Sequence, residues 1–227
     1  MIGLIKNGFY WFLDYLYIIR REFSVYFRKD SASNYRREGR PPVLLLPGVF
    51  ENWRFVRPLA KLLYDHDYDV HVLDELGYNT GTIEAMAARV YSYCDHHGLT
   101  NVALIAHSKG GLIGKQLLIR DTPAQLFTQL ITINTPFAGS VYATYIPFKS
   151  IRIFSPSSLV LSELSENSLV NGRITAIYGL FDPHIPRLSE IEGAKNIQVS
   201  TYGHFRPISD PKVHEIIVKV LHDNNFC

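Results

Sequence analysis

Ser108 follows the apolar run Val102-Ala103-Leu104-Ile105-Ala106-His107 and precedes Lys109-Gly110-Gly111 and a helix-like stretch from Leu112 to Ile119. One serine in a tight turn between a strand and a helix is the arrangement of a nucleophile elbow: strained backbone lifts the hydroxyl above the sheet edge, and small residues must flank it. Ala106 and Gly110 hold the flanking places, alanine standing where glycine is usual. A serine attacks a carbonyl carbon only when a base takes its proton and a carboxylate orients that base. In chains with such an elbow the acid follows the serine and the histidine comes last. Asp182, in Gly179-Leu180-Phe181-Asp182-Pro183, comes directly after a candidate strand, and His204, in Tyr202-Gly203-His204-Phe205, comes after the next. Singly, each residue has a plain alternative: a Ser-Lys-Gly-Gly loop, a turn former before Pro183, a polar loop histidine. Their joint occurrence in the required order disfavours those alternatives.

The other histidines fit the role of base less well. His107 precedes the elbow and is expected to point away from it, His184 has no preceding strand of its own, and His214 and His222 fall in the last helical stretch. The tetrahedral intermediate of acyl transfer also needs donors for its oxyanion. The backbone N–H of Lys109 is one candidate, and Gly48, in Leu46-Pro47-Gly48-Val49-Phe50, permits a turn that would aim the Val49 or Phe50 amide at the same place. The Lys109 side chain has an alternative use, attracting an anionic head group.

These residues need a frame that brings the ends of several strands together. From Val43 onward β-rich runs alternate with helical periodicity, the pattern of an α/β fold with a mostly parallel sheet covered by helices on both faces. Strands are expected at Val43 to Leu46, Val70 to Leu73, Val102 to Ala106, Leu130 to Asn134, Ile174 to Tyr178 and Ile197 to Thr201. Helices are expected at Trp53 to Leu63, Thr82 to His97, Gly111 to Arg120 and Asp210 to His222. The interval 137–172 breaks this rhythm with a long, apolar, aromatic insertion after a strand end, over the sheet edge where open α/β sheets bind ligands. The alternative for it is a set of extra helices packing on the core. Phe50, Phe137 and Tyr142 are the candidate substrate-binding side chains.

Residues 1–40 form a separate segment, an amphipathic helix and a basic linker, ahead of a domain spanning 41–227. Ile5, Phe9, Phe12, Leu16, Ile19, Phe23 and Phe27 recur at steps of three and four, one stripe of a helix, with Lys6, Asn7, Tyr10, Asp14, Arg21 and Arg28 on the other side. Lys6, Asn7 and Asp14 interrupt any spanning run, and the charged residues that follow separate the apolar region from any cleavage site. The helix is expected to lie in a membrane interface, or to dock on its own domain or on a partner subunit as in a homodimer, with a tilted spanning anchor as the remaining alternative. Of 23 Lys and Arg against 21 Asp and Glu, the first 40 residues carry eight and four, so the arm is basic and the body slightly acidic. Such an arm suits an anionic membrane surface; nothing in the body suggests a nucleic-acid partner. Cys94 and Cys227 are too few for a disulfide framework, and cytoplasmic placement, peripheral at a membrane, is expected.

Ala106-His107-Ser108-Lys109-Gly110-Gly111, Leu46-Pro47-Gly48, Asn134-Thr135-Pro136-Phe137-Ala138-Gly139-Ser140, Asp182 and Gly203-His204 together resemble the α/β-hydrolase superfamily, and within it small serine lipases and esterases with an Ala-x-Ser-x-Gly elbow. The resemblance runs from Pro42 to Leu221 and implies Ser-His-Asp hydrolysis of carboxylic esters of lipid-like substrates through an acyl-enzyme, without metal or organic cofactor. It also implies that the insertion builds an acyl-binding wall or lid. A thioesterase, an acyltransferase or a noncatalytic binding protein on the same fold are the alternatives.

Overall fold

The computed structural model describes residues 2–27, 31–121, 126–186 and 189–224, without the side chains of 2–7, 22 and 24–27. Six strands make one wholly parallel sheet: β1 (Pro42–Leu46), β2 (Asp69–Val72), β3 (Val102–His107), β4 (Phe127–Ile133), β5 (Ile174–Phe181) and β6 (Lys195–Tyr202). Their order is β2-β1-β3-β4-β5-β6. The direction of winding reverses between β1 and β3, so the loops leaving those two strands part to opposite faces and leave a crevice at their C-terminal ends. Every expected strand is present, within a few residues of its expected bounds.

The helices follow from punctuation as much as from periodicity. They are α1 (Ile2–Phe27), α2 (Arg57–Asp65), α3 (Ile83–His96), α4 (Lys109–Arg120), the short α5 (Lys149–Arg152), α6 (Leu159–Glu166) and α7 (Pro211–Asp223). The Thr82 hydroxyl accepts the Ala85 N–H at the start of α3, and Asp210 accepts the Lys212 N–H ahead of Pro211 in α7, pairing a cap with a first-turn proline. Helix α2 starts at Arg57 rather than Trp53, because Asn52 to Val56 is spent in tight turns that bury Trp53 and Phe55, and Pro58 then fixes the helical entry.

Alternation along the strands divides the core in two. Val43, Leu45, Ala103, Ile105 and Ile131 face α2 and α7, where Leu59, Leu63, Val213 and Ile217 close over them. Leu44, Leu46, Leu104 and Leu130 face α3 and α4 on the other side. The insertion belongs partly to this second layer: Phe154, Leu161 and Leu164 are buried in it, while Tyr145, Phe148 and Leu159 stand largely exposed. It therefore combines packing on the core with an exposed aromatic rim.

Of the placements expected for the N-terminal segment, docking on its own domain is the one the structure has. Helix α1 docks by a mixed face, in which Tyr17 and Ile18 pack on the core and Tyr10 stacks on Tyr202 beside buried polar contacts. Asp14 is fully buried, the Tyr17 hydroxyl pairs with Ser209 Oγ at 2.7 Å, and Arg21 donates to the Arg54 and Phe55 carbonyls at 3.0 and 2.9 Å. The apolar stripe faces outward, with Phe12, Ile19 and Phe23 63%, 64% and 67% exposed. The side chains of Ile5 and Phe27 at its two ends lie outside those described, as do Arg28 and Cys227. The linker is docked too: Ala32–Tyr35 forms a 3-10 turn, Tyr35 is buried, and Arg36 makes a two-pronged ion pair with Asp69 at 2.8 and 3.0 Å.

Candidate active site

Ser108 sits between β3 and α4 with φ 50° and ψ −120°, a conformation that an L-residue adopts only under strain. Its N–H donates to the Ile133 carbonyl at 2.9 Å and its carbonyl accepts the Thr135 hydroxyl at 3.0 Å, so β4 holds the turn in place. Close packing explains the small residues beyond the serine. A Cβ on Gly110 would stand 2.2 Å from the Leu46 carbonyl oxygen, and one on Gly111 would stand 2.0 Å from Thr135 Oγ1.

The three residues singled out for nucleophile, base and acid meet at the C-terminal edge of the sheet. His204 Nε2 lies 3.0 Å from Ser108 Oγ, and His204 Nδ1 lies 2.6 Å from Asp182 Oδ2. Asp182 Oδ1 accepts the His184 and Ile185 N–H groups at 2.7 and 3.0 Å, which fixes the plane of the carboxyl. All three side chains are buried. Burial alone would push the Asp182 carboxyl up, but the His204 charge and these hydrogen bonds hold it below its usual range. Burial likewise disfavours a charged His204, yet the Asp182 carboxylate, then Asp14 and Glu51, raise its pKa above the ordinary histidine value.

In the loop after β1 two of three successive amides are already taken. Glu51 Oε2 takes the Gly48 N–H at 2.6 Å and the Tyr78 carbonyl takes that of Phe50 at 2.8 Å. That leaves Val49, and the N–H groups of Val49 and Lys109 have no acceptor among the described residues. The Lys109 side chain does not face a ligand: it is fully buried and donates to the Asn79 and Gly81 carbonyls, with its pKa pushed down to about 8 by burial. An anionic head group cannot reach it there.

Three further residues hold the histidine loop, and spacing does not single them out. His107 Nδ1 lies 3.0 Å from Glu51 Oε2, and its Nε2 lies 3.0 Å from the His204 carbonyl. Asn134, with φ 47° just past β4, donates to the Gly203 and His204 carbonyls at 3.0 and 2.9 Å and accepts the Gly179 N–H at 3.2 Å. Asp14 accepts the N–H groups of the same loop from the other side. Asn134 had one visible signal, its place beside Thr135-Pro136; Asp14 had another, as a carboxylate set among aromatic residues of a helix. Of the remaining histidines, His184 packs against His204 with ring centroids 5.0 Å apart, and His214 Nε2 pairs with the Ile208 carbonyl.

The serine and histidine open into a cavity of about 870 Å³ with a mainly apolar lining. Phe50 and Tyr142 line it, as do Trp11 and Tyr15 of α1 and Ile146 and Phe154 of the insertion. Phe137 is absent from the wall and packs against the core layer beneath α4. A second cavity, about 890 Å³, lies at the opposite ends of the strands among Arg40, Thr128, Arg173 and Lys195, away from this chemistry. Among the described residues no group of three or more His, Cys, Asp or Glu side chains could hold a metal ion.

A parallel sheet wound in this order, with a strained serine after β3 and an acid and a histidine after β5 and β6, defines the alpha/beta hydrolase class of fold. A family model described as alpha/beta hydrolase fold matches residues 41–150. No curated protein sequence matches the chain. Among solved structures, a Bacillus licheniformis lipase in mature form is 15% identical with a TM-score of 0.62, over 83% of this chain and 93% of that one. The monoacylglycerol lipase of Paleococcus ferrophilus is 15% identical with a TM-score of 0.59, over 82% and 96%. The enol-lactonase of Burkholderia xenovorans LB400 is 15% identical with a TM-score of 0.58, over 83% and 93%. The chain has the alpha/beta hydrolase fold. At these identities the likeness fixes the fold, while activity has to be argued from the site.

Proposed function

We propose that the protein is a serine hydrolase cleaving carboxylic esters with lipid-like acyl groups. The observation that carries this reading is the unbroken line Ser108 Oγ, His204, Asp182, at 3.0 and 2.6 Å, set at the wall of an apolar cavity. His204 Nε2 takes the Ser108 proton as Oγ attacks the ester carbonyl carbon, and the oxyanion is received by the Val49 and Lys109 amides. The intermediate collapses, the C–O bond to the alcohol breaks, and His204 gives its proton to the departing oxygen. Water, deprotonated by His204, then attacks the acyl-serine, releasing the acid and restoring Ser108. Asp182 keeps the imidazole proton on Nδ1 and stabilises the imidazolium that forms in each step.

The outer surface supports an interfacial substrate. Trp11 and Tyr15, on the cavity wall, belong to the same helix as the exposed Phe12, Ile19 and Phe23, and Tyr142 and Phe50 extend this apolar rim across the cavity mouth. An exposed apolar and aromatic face of this kind suits a lipid surface. Among the described residues no helix is long and apolar enough to cross a membrane, so association would be through this face.

A fluorophosphonate probe tests the hydrolase reading. The folded protein is expected to label once, at Ser108, and Ser108→Ala to lose the label; folded protein that never labels refutes it. A series of p-nitrophenyl esters of rising chain length, with a thioester and an added alcohol acceptor, then defines the acyl class. A preference for the shortest esters, unaffected by vesicles, would remove the lipid part of the proposal. Phe12→Asp and Ile19→Asp, on the outward face of α1, are expected to abolish flotation with anionic vesicles while leaving soluble-ester hydrolysis intact.

A further inference from the structure

The family match begins at residue 41, yet a side chain from far upstream reaches the catalytic loop. Asp14 lies fully buried on the inner face of α1, and its carboxylate accepts the backbone N–H of His204 at 2.7 Å, of Phe205 at 3.1 Å and of Arg206 at 3.1 Å. We propose that Asp14 is a positioning residue for the catalytic histidine, gathering these three amides so that the His204 ring is presented to Ser108, and that α1 is thereby an integral part of the active site. The inference rests on the Ser108-His204-Asp182 mechanism above.

Three features of the loop support it. The His204 peptide is held on both sides, its N–H by Asp14 and its carbonyl by His107 and Asn134, while Asp182 holds the ring. With backbone and ring both fixed, the distance from Nε2 to Ser108 Oγ is set by the place of that peptide. Next, the loop is shaped around the carboxylate: Gly203 has φ +112°, and a Cβ there would stand 2.4 Å from Asp14 Oδ1. Only glycine lets the chain pass so close. Finally, a buried carboxylate is costly unless its oxygens are occupied by donors, and here the donors are the catalytic loop itself. Burial pushes the Asp14 carboxyl up and the three N–H groups with the nearby His204 pull it back part of the way.

The same carboxylate bears on the charge of the base. The groups facing His204 are Asp182, Asp14, Glu51, His107 and His184, and those facing Asp14 besides His204 are Tyr15 and Tyr17. Asp14 is one of three carboxylates that favour the protonated imidazole. Removing its charge lowers the pKa of His204, whereas loosening α1 by another contact does not.

The test compares Asp14→Asn with Tyr17→Phe in the full chain, each rate normalised to active sites counted by fluorophosphonate titration. Asp14→Asn is expected to lower kcat by about tenfold or more with KM little changed, since a small misplacement of a catalytic group is felt chiefly in the chemical step. The acid limb of its kcat/KM profile is expected to move to lower pH. Tyr17→Phe, which loses only the contact with Ser209, is expected to keep the wild-type kcat and acid limb. Asp14→Glu, which keeps the charge, is expected to restore the acid limb. If Asp14→Asn does not fold, Asp14→Ser carries the same two readouts with less volume and one remaining acceptor. A normalised kcat within twofold of wild type and an unmoved acid limb would overturn the proposal and leave Asp14 as an anchor for the helix. Wild-type protein that takes no label removes the hydrolase reading instead, and Asp14's positioning role with it.

Discussion

Asp182→Asn is the substitution that probes the mechanism with least disturbance of the fold. Asp182 Oδ1 is occupied by two backbone donors, His184 and Ile185, and Oδ2 faces His204 Nδ1. An asparagine in the same place must keep its carbonyl oxygen on the first side, because turning the amide would set its NH2 against two buried N–H groups at about 1–3 kcal/mol each. The NH2 then points at His204 Nδ1, which can meet it only with a lone pair. The single imidazole proton is driven to Nε2, 3.0 Å from Ser108 Oγ, where a lone pair is needed to accept the serine proton. The base is present, well placed and in the wrong tautomer. The expected loss is about 10⁴-fold in kcat, or about 5 kcal/mol in the barrier, with KM nearly unchanged. Hydrolysis of p-nitrophenyl butyrate by folded protein of known concentration measures it, with circular dichroism and a melting curve to establish that the fold persists. A loss under tenfold in well-folded protein would refute the assignment of Asp182 as the group that orients His204.

Other expectations follow from the same geometry. With neutral His204 as the proposed base, activity is present above its pKa and lost as pH falls through it; with that pKa raised, chiefly by Asp182, the acid limb of kcat/KM should lie above the ordinary histidine range, and a limb below that range would contradict it. Gly110→Ala puts a methyl 2.2 Å from a main-chain oxygen that cannot swing aside, and should cost about 2 kcal/mol or more in urea denaturation; a change under about 0.5 kcal/mol would count against a tightly packed elbow. Asn134→Ala takes a partner from the Gly179 N–H and the Gly203 carbonyl, leaving the His204 carbonyl to His107 alone, and should cost about 1–3 kcal/mol while also lowering kcat, because the His204 loop loses a support; unchanged kcat would separate Asn134 from the site.

The strands and the chain order of Ser108, Asp182 and His204 were legible because they depend on local pattern, whereas the order of strands in the sheet was not. Val102 to His107 is an apolar run long enough only for a strand, Gly110 and Gly111 announce close packing, and Asp182 and His204 each come directly after a strand in a frame where strand ends converge. What escaped depends on partners far away in the chain. Phe137 has the composition of a pocket residue but turns into the core, and Lys109, a charged residue beside a reactive serine, is buried on the Asn79 and Gly81 carbonyls. No periodicity encodes those pairings, since the acceptors are main-chain oxygens of a loop 30 residues earlier.

Helix α1 shows the same limit most sharply, because its stripe was read correctly and its orientation was not implied by it. A helix ordinarily buries its apolar face, which contributes about 25 cal/mol per Å² removed from water. Here Phe12, Ile19 and Phe23 remain outside while Asp14, Tyr17 and Arg21 face in. Docking by apolar burial alone would have turned the helix over. What holds it as it stands is the packing of Tyr17 and Ile18 on the core and of Tyr10 on Tyr202 together with specific donors and acceptors: three loop amides for Asp14, a serine hydroxyl for Tyr17 and two carbonyls for Arg21. Turning the stripe inward would strand a carboxylate's three amide partners, each costing about 1–3 kcal/mol when left unpaired and buried. The polar contacts therefore favour the orientation seen, in which Phe12, Ile19 and Phe23 stay exposed.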